Sequence, residues 1–363
     1  MSNKIKVLIV DDSSLIRKLL SEILSTDNEI EVVGTAQDPF AAREKIKKLQ
    51  PDVITLDVEM PRMDGITFLK NLMRLHPIPV IMISSLTEKG ADITLEALES
   101  GAIDFVSKPK LDLAHSLPDY TYEIISKIKT ASKVNVHTRS QSTTSIAEVA
   151  PKNSADVILG KDNKTTKKHF KTTDTIIALG ASTGGTEAIK DVLMRMPADA
   201  PGIVISQHIP EAFSGPFSKR MNGCSAMTVY EAHDGQYILP GHVYIAPGSH
   251  HLLIERDGAR FVCRLNDGPP VNRHRPSVDV MFRSVAQNVG RNAIGVILTG
   301  MGDDGAAGMK ELHDAGASTI AQDEKTSVVW GMPGEAVKLG GIDNILPLKS
   351  VPGKIIALSK KIK

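Results

Sequence analysis

Residues 175–187 read TIIALGASTGGTE and decide how the C-terminal half of the chain folds. An apolar run ends abruptly in a glycine-rich stretch, and apolar residues then recur at the spacing of a helix. This order predicts a strand, a tight turn and a helix, with Ser182 in the turn. The N-terminus of such a helix presents main-chain N–H groups that suit an anion or an oxyanion.

Two interpretations of this turn are open from the stretch alone. Gly180, Ser182 and Gly184 have the spacing of a nucleophile elbow, in which a serine is exposed at a sharp turn between a strand and a helix. A phosphate-binding or simply tight glycine-rich turn fits about equally well, because short Gly/Ser motifs have many chance matches. The GxGxxG fingerprint is absent, so a dinucleotide site is the weaker alternative.

The composition of the whole chain narrows the class of protein. Its 363 residues suffice for two or three domains, and 41% hydrophobic with 23% charged residues is ordinary for a globular protein. A net charge of +1 gives no electrostatic reason to expect nucleic-acid binding. Cys224 and Cys263 are too few for a disulfide framework and have no metal-ligand spacing. Because no apolar run is long enough for a signal peptide or a membrane span, we expect a cytoplasmic protein without direct membrane insertion.

Residues 1–128 alternate between short apolar strand patterns and amphipathic helix patterns. The predicted strands cover residues 7–10, 31–34, 53–56, 80–83 and 104–106. Repeated strand–helix units predict an α/β domain, with a doubly wound parallel sheet between helices. Such sheets place their sites at the carboxyl ends of the strands.

Polar residues of a particular kind follow these strands. Asp11 and Asp12 follow the first strand and Asp57 the third, and carboxylates that meet at one edge repel unless a hard cation such as Mg²⁺ lies among them. Ser84 ends the fourth strand and Lys108 follows the fifth. Each residue alone is also typical of a helix cap or a surface turn. Together they predict a phosphoryl site beside a metal ion.

Residues 1–128 closely resemble the receiver domain of two-component response regulators along its full length. The residues that carry the resemblance are Asp11, Asp12, Asp57, Ser84, Lys108 and Pro109. The resemblance implies a flavodoxin-like fold and phosphorylation of Asp57 by a partner histidine kinase, with Mg²⁺ required.

The resemblance also implies a role for each site residue. Asp12, Asp57 and the main-chain carbonyl of Glu59 would ligate Mg²⁺ directly, whereas Asp11 would act mostly through water. Ser84 and Lys108 would contact the phosphoryl oxygens. The peptide bond between Lys108 and Pro109 would be cis.

Residues 129–172 differ in composition from the sequence on either side. Lysine, serine, threonine and asparagine dominate, and such a segment cannot bury enough apolar surface to offset its ordering entropy. We therefore predict a linker here. Residues 146–149 and 157–159 are short apolar islands within it and are candidates for docking on a domain.

Residues 173–363 predict a second α/β domain with an antiparallel insertion. Residues 202–208 have the pattern of a parallel strand with His208 at its carboxyl end, and residues 293–299 form another that runs into GMGDDG. Four segments between them alternate like an antiparallel meander, at residues 227–231, 242–246, 251–256 and 260–265.

Ser182, His208 and either Asp303 or Asp304 thus lie at strand ends of one predicted sheet, where a crevice forms. A serine, a histidine and an acid at one edge can form a hydrolytic triad. Their order differs from the Ser…Asp…His order of α/β-hydrolases, so that fold is not implied. Spacing does not separate the two aspartates. His274, between two arginines, is either a substrate contact or an exposed loop residue.

Four motifs carry a second resemblance: GASTGG at residues 180–185, SQHIP at 206–210, NRHRPSVD at 272–279 and LTGMGDDGAAG at 298–308. They strongly resemble the catalytic domain of the chemotaxis protein-glutamate methylesterase (CheB) family over residues 173–363, which implies a Rossmann-like fold. The order of receiver, linker and esterase domain is also similar.

The second resemblance implies that Ser182 is the nucleophile, His208 the base and Asp304 the orienting acid. It further implies that Thr183, His274 and Met301 line the substrate site, and that main-chain amides near Ser182 and Met301 form the oxyanion hole.

The function implied is phosphorylation-activated hydrolysis of γ-methyl glutamyl esters on chemoreceptors, with release of methanol, during adaptation in chemotaxis. Deamidation of receptor glutamines is implied as well. We expect Mg²⁺ in the receiver domain, no cofactor for ester hydrolysis, a histidine kinase and methylated chemoreceptors as partners, no nucleic acid, and a monomer.

Two alternatives come from other classes of protein. A transcriptional response regulator would carry a basic helix-turn-helix, which the second domain does not show. A non-catalytic adaptor would bind receptors without needing Ser182.

Overall fold

A computed structural model of the chain describes residues 4–60, 64–85, 87–108, 117–134, 152–161 and 174–362. The chain divides into two compact units, Met1–Thr144 and Ser145–Lys363. Among the helices in the described ranges, none is both long and apolar enough to cross a membrane.

The first unit is one parallel sheet with intervening helices. Its five strands have the order β2-β1-β3-β4-β5, and every neighbouring pair is parallel. The elements are β1 (Ile5–Val10), α1 (Ser14–Leu24), β2 (Ile30–Ala36), α2 (Pro39–Leu49), β3 (Val53–Asp57), α3 (Gly65–Leu75), β4 (Val80–Ser84), α4 (Glu88–Glu99), β5 (Asp104–Ser107) and α5 (Leu117–Ala131). The predicted α/β class is confirmed, and each predicted strand lies inside an observed one.

Short polar side chains set where the helices of this unit begin. Ser13, Asp38 and Asp64 precede α1, α2 and α3, and each side chain accepts a hydrogen bond from a main-chain N–H three residues further on. Because β1 and β3 are neighbouring parallel strands, the residues that follow both strands lie at the same edge of the sheet.

The second unit contains a larger parallel sheet of seven strands, in the order β14-β13-β12-β6-β7-β9-β8. Its elements are β6 (Ile176–Ala181), α6 (Gly185–Leu193), β7 (Gly202–Gln207), α7 (Glu211–Cys224), β8 (Thr228–Glu231), β9 (His242–Ile245), β10 (His251–Asp257), β11 (Arg260–Asn266), α8 (Val278–Asn288), β12 (Ala293–Ile297), α9 (Ala306–Asp314), β13 (Ser318–Gln322), α10 (Met332–Lys338), β14 (Asn344–Leu346) and α11 (Val351–Ile362). β10 and β11 form a separate antiparallel hairpin.

The predicted meander of four antiparallel strands is wrong for two of them. β8 and β9 pair in parallel with each other, and β9 pairs in parallel with β7. Both strands therefore extend the main sheet, and the antiparallel insertion is the β10–β11 hairpin. The alternating pattern of β8 has another cause: β8 is an edge strand and exposes alternate side chains, which gives the same period in either kind of sheet.

Helix α8 connects the hairpin to the main sheet. It packs against α9, β10 and β6, and its side chains Met281, Phe282 and Val285 are fully buried. These residues belong to one apolar cluster with Leu252 and Ile254 of the hairpin. The hairpin is thus held on the side of the sheet that carries α8.

Parts of the predicted linker, residues 129–172, belong to the two compact units. Helix α5 runs past the predicted domain boundary at residue 128 and ends at Ala131. Residues 152–161 belong to the second unit and include a 3₁₀ turn, Ala155–Val157. Ile158 and Leu159 pack on a buried cluster of that unit, whereas residues 146–149 lie outside the described residues.

Candidate functional site

Ser182 lies at the carboxyl end of β6, in a tight turn that leads into α6. Gly184 in this turn has φ +73°, and an added Cβ would lie 2.6 Å from Cγ2 of Val328, so a larger residue would be both strained and crowded. Gly300 approaches the turn from the loop after β12, where an added Cβ would lie 2.9 Å from Cβ of Ser182. The two glycines allow the backbone to close around the serine.

His208 and Asp304 reach Ser182 from the strands on either side of β6. His208 directly follows β7, and Asp304 lies between β12 and α9. Nδ1 of His208 is 3.0 Å from Oγ of Ser182, and Nε2 is 2.7 Å from Oδ2 of Asp304. The three side chains form a continuous hydrogen-bonded chain, which is the geometry that activates a serine nucleophile.

The two neighbouring aspartates have different environments. Asp304 is buried, and its side chain is 2% exposed. The side chain of Asp303 is 52% exposed and pairs with Nζ of Lys152 at 2.7 Å. The geometry therefore selects Asp304 as the partner of His208, a choice that spacing alone left open.

The Asp304 carboxylate is surrounded by donors. Besides His208, it accepts hydrogen bonds of 2.7–3.2 Å from the side chains of Asn272 and Ser277 and from the main-chain N–H groups of Val278 and Asp279. Those two N–H groups belong to the first turn of α8, whose N-terminus favours negative charge. Burial raises the pKa of Asp304. The hydrogen bond from His208 and the charges of the nearby histidines lower it by more, so the pKa lies well below its ordinary value.

The ring orientation of His208 determines its tautomer. Nε2 faces a carboxylate that stays ionised, so this nitrogen carries the hydrogen. Nδ1 then has a free lone pair and can accept the Ser182 hydroxyl proton. The nitrogens are used in the opposite sense to chymotrypsin, where Nε2 faces the serine.

The three residues predicted to line the substrate site, Thr183, His274 and Met301, differ in their contacts with the triad. The ring of His274 stacks on His208, with centroids 3.6 Å apart and planes 10° from parallel. Thr183 is buried, and its carbonyl accepts a hydrogen bond from Oγ1 of Thr299 at 3.0 Å. Met301 is half-buried in the loop that carries Asp304.

Asn272 is a site residue whose role sequence reasoning missed. Nδ2 donates to Oδ1 of Asp304 at 2.8 Å and to Oδ2 of Asp279 at 2.7 Å, so one amide bridges two buried carboxylates. Its φ of +52° lies in the left-handed region, which asparagine tolerates better than most residues. The residue lies within the NRHRPSVD motif, but a bridging role depends on long-range contacts that no local pattern reports.

Asp279 is the second carboxylate of this network and is almost fully buried. Its Oδ1 accepts a hydrogen bond from the N–H group of Gly308 at 2.7 Å. Burial, together with the negative charge of Asp304, raises the pKa of Asp279 to about 7. The two neighbouring acids therefore have pKa values shifted in opposite directions.

Gln207, the last residue of β7, was also missed. Its Nε2 donates to the main-chain carbonyls of Ser182 at 3.0 Å and His208 at 3.1 Å. The side chain of Gln207 thus connects the turn that carries Ser182 to His208.

Two main-chain N–H groups near the nucleophile are already used. Those of Ser182 and Gly300 donate to the carbonyls of Thr299 and Val329, so neither is available to an oxyanion.

A separate polar cluster lies at the carboxyl edge of the first sheet. Carboxylate oxygens of Asp11, Asp12 and Asp57 all lie within 4.8 Å of one another. Oδ2 of Asp11 is buried and accepts no hydrogen bond from the described residues. A buried carboxylate oxygen that accepts no hydrogen bond, beside two further carboxylates, fits a hard divalent cation such as Mg²⁺.

Lys108 joins this cluster from the end of β5. Its Nζ is 2.8 Å from Oδ2 of Asp57 and 3.6 Å from Oδ2 of Asp11. Burial, with the charge of Asp11, raises the pKa of Asp57 to about 6 even though Lys108 lowers it. Burial lowers the pKa of Lys108, but Asp57 and the other acids raise it more, so the ammonium stays charged.

Ser84 and Glu59, two further residues predicted for the receiver site, lie near the same edge of the sheet. Ser84 ends β4, and its hydroxyl accepts from Oγ1 of Thr94 at 2.7 Å and lies 3.3 Å from the carbonyl of Gly90, so it is engaged with α4. The N–H group of Glu59 donates to Oδ1 of Asp57 at 3.2 Å. The predicted cis bond after Lys108 involves Pro109, which lies outside the described residues.

Both units match known families. Residues 177–355 match the CheB methylesterase family, and residues 7–116 match the response regulator receiver domain. A relative from Hydrogenovibrio crunogenus, named protein-glutamate methylesterase/protein-glutamine glutaminase, is 62% identical over 377 residues, which cover 99% of this chain and 100% of the relative. A relative from Xanthomonas campestris pv. campestris with the same name, numbered 1, is 58% identical over 99% of this chain and 98% of its own length.

A solved structure supports the fold of the second unit. The Thermotoga maritima CheB methylesterase catalytic domain is 36% identical, has a TM-score of 0.50, and covers 51% of this chain and 98% of its own. With the full-length relatives and both domain matches, this similarity settles the family. The chain belongs to the CheB methylesterases, the family of protein-glutamate methylesterase/protein-glutamine glutaminases, with an N-terminal response regulator receiver domain.

Proposed function

We propose that this chain hydrolyses γ-methyl esters of glutamate side chains on chemoreceptors and releases methanol. The observation that carries the proposal is the relay in which Nδ1 of His208 lies 3.0 Å from Oγ of Ser182 and Nε2 lies 2.7 Å from Oδ2 of Asp304. The names of the relatives give the substrate class.

In the first half of the proposed reaction, Oγ of Ser182 attacks the ester carbonyl carbon while Nδ1 of His208 takes the hydroxyl proton. A tetrahedral intermediate forms and then collapses, which breaks the bond to the methoxy oxygen. His208 returns the proton to that oxygen, so methanol leaves and an acyl-serine remains. Proton transfer of this kind contributes about 10²–10⁴-fold to the rate.

In the second half, His208 takes a proton from water, and the resulting hydroxide attacks the acyl-serine. The glutamate carboxylate leaves and Ser182 recovers its proton. A glutamine side chain can follow the same route, with ammonia as the leaving group in place of methanol, which accounts for a glutaminase activity.

Asp304 stabilises the imidazolium that forms in each half of the reaction. Its charge is kept available by the low pKa of the buried carboxyl group. Thr183, His274 and Met301 are proposed to line the substrate site. The oxyanion donors are proposed to be main-chain amides near Ser182 and Met301, where losing one donor would cost about 10²–10³-fold.

The first unit is proposed to control this activity through phosphorylation of Asp57. Asp12, Asp57 and the carbonyl of Glu59 would hold Mg²⁺, with Asp11 acting through water, and the bound ion would neutralise charge on the phosphoryl group. Lys108 is already paired with Asp57 and would contact a phosphoryl oxygen. Ser84 would reach the phosphoryl group by giving up its hydrogen bond with Thr94.

A histidine kinase is the proposed phosphodonor, methylated receptors are the proposed substrate, and the chain is proposed to act as a monomer. Purified protein incubated with receptor membranes labelled on the ester methyl group should release labelled methanol, and the Ser182→Ala variant should not. Equal release by the variant would exclude Ser182 as the nucleophile. Receptor adaptation that survives Ser182→Ala in cells would favour the adaptor alternative.

A further inference from the structure

Residues 152–161 lie outside both family matches, which cover residues 7–116 and 177–355. The composition of this stretch predicts part of a linker, with residues 157–159 as an apolar island that is a candidate for docking. The structure docks the stretch on the second unit, beside the loop that holds Asp304. We refer to residues 152–161 as the strap.

Arg283 of α8 anchors the strap. Its side chain is buried, and Nη1 donates to Oδ1 of Asp156 at 2.7 Å and to the carbonyl of Leu159 at 2.8 Å. The other guanidinium nitrogens bind Glu311. A buried arginine needs such partners for its five N–H groups, so the strap completes a site that would otherwise leave a charge partly unsatisfied.

Apolar contacts add to this anchor. Ile158 and Leu159 pack on the cluster that contains Leu253, Val271 and Val280. Cδ1 of Ile158 lies so close to Gly268 that an added Cβ there would come within 2.2 Å of it. Val157, between the docked residues, is 51% exposed and provides a natural control position.

The N-terminal end of the strap touches the loop that supports the triad. The carbonyl of Asn153 accepts a hydrogen bond from the N–H group of Asn272 at 2.9 Å, and its Nδ2 donates to the carbonyl of Pro270 at 3.1 Å. Asn272 is the residue whose side chain donates to Asp304. Strap, loop and triad acid are therefore connected by direct hydrogen bonds.

The loop contains no helix or strand, but Val271 and His274 form an isolated antiparallel bridge, with main-chain hydrogen bonds of 3.0 and 2.8 Å, that closes a turn at Asn272 and Arg273. Asn272 and Arg273 both have positive φ values, of +52° and +71°. Left-handed conformations cost free energy in residues other than glycine and persist where the surroundings hold them. The bridge between Val271 and His274 holds this turn from within, and the contacts of Asn153 and Ile158 add restraint from outside the loop.

We propose that the strap is a positioning element for the catalytic acid. It holds the loop of residues 268–274 so that Asn272 orients Asp304 toward His208, and it thereby sets the reactivity of Ser182. The proposal rests on the proposed function of the triad. The proposal also means that residues 152–161, in the C-terminal part of the predicted linker, contact the loop that supports Asp304.

The test uses the full-length protein and the rate at which a small fluorophosphonate labels Ser182, because this probe needs no receptor. Ile158→Ser and Asp156→Lys should lower the labelling rate at least fivefold. Val157→Ser, Lys161→Ala and the conservative Asp156→Glu should stay within twofold of wild type. The same fold-changes are expected with and without a small phosphodonor and Mg²⁺.

A second readout separates positioning from general destabilisation. The proton on Nε2 of His208 should give a low-field ¹H resonance, which should shift or broaden in Ile158→Ser and Asp156→Lys but not in the controls. Urea unfolding followed by Trp330 fluorescence reports whether the second unit remains folded. Should either variant unfold, Asn153→Ala, which removes only the Asn153–Pro270 side-chain bond, is expected to slow labelling measurably.

Folded strap variants that label at the wild-type rate and keep the low-field resonance would overturn the proposal, as would Asn153→Ala at the wild-type rate if the others unfold. Failure of the proposed function has a different signature. In that case the wild-type protein would not be labelled, or Ser182→Ala would be labelled equally.

Discussion

Nε2 of His208 lies 2.7 Å from Oδ2 of Asp304, and both side chains are almost completely buried. The carboxylate can stay ionised in this setting because donors from one loop and one helix N-terminus surround it. Its low pKa and the tautomer of the histidine are thus two consequences of the same local structure.

Asp304→Asn is expected to lower kcat for ester hydrolysis by about 10³–10⁴-fold while the protein stays folded. An amide at this position can donate to Nε2 and would favour the tautomer with hydrogen on Nδ1, which cannot accept the Ser182 proton. Asp303→Asn is the matched control. It breaks the exposed ion pair with Lys152 at the N-terminal end of the strap but leaves the strap contacts of Asn153, Asp156 and Ile158, so kcat should change by less than about threefold. Equal losses in both variants would contradict the assignment of Asp304.

Asn272→Ala is expected to reduce the free energy of unfolding of the second unit by about 1–3 kcal/mol, because two buried carboxylates lose a shared donor. The left-handed backbone adds about 1 kcal/mol for alanine. Urea unfolding followed by the fluorescence of Trp330, the single tryptophan, measures this unit. Asn272→Gly restores the backbone freedom without the amide and should fall between wild type and alanine. A wild-type midpoint in both variants would refute the bridging role.

Asp279 predicts a specific pH dependence of stability. Its pKa is raised to about 7 in the folded protein from an ordinary value of 3.8, so the folded state retains this proton to higher pH than the unfolded chain. The resulting stabilisation is full below about pH 4 and is lost as the pH rises to about 7. Asp279→Asn has no such proton, so its unfolding free energy should vary less between these pH values. An unchanged slope would show that Asp279 titrates normally.

Asp57→Asn is expected to abolish the increase in methanol release that a small phosphodonor produces in wild type. An amide cannot accept a phosphoryl group, and it also weakens the carboxylate cluster that would hold Mg²⁺. Chelation of Mg²⁺ from wild type should have the same effect. Full activation of Asp57→Asn by the phosphodonor would mean that another residue is phosphorylated or that activation does not use this site.

The sequence was sufficient to locate those residues of the candidate site that lie directly at the ends of strands. Ser182 and His208 end neighbouring parallel strands, and the apolar runs before them were enough to locate both. Asp303 and Asp304 could not be separated in this way, because the choice depends on which side chain the loop buries. The family resemblance selected Asp304, whose Oδ2 lies 2.7 Å from Nε2 of His208 in the structure.

The wrong assignment of β8 and the missed role of Asn272 have one physical origin: both depend on contacts between segments far apart in sequence. β8 alternates because it lies at the edge of a parallel sheet, and a single sequence cannot distinguish that from an antiparallel strand. Asn272 and the strap act through contacts between segments far apart in sequence. Asp156 and Arg283, for example, form an ion pair that neither the polar composition of the strap nor the pattern of α8 predicts.

The most direct test of the central claim is methanol release from methyl-labelled receptor membranes by wild type and Ser182→Ala, each with and without a small phosphodonor and Mg²⁺. Release by wild type alone, increased by the phosphodonor, is the predicted result, because the reaction needs the Ser182 hydroxyl and the receiver domain controls its rate. Equal release by Ser182→Ala, or no release by wild type under any condition, would contradict the claim that this triad hydrolyses receptor esters.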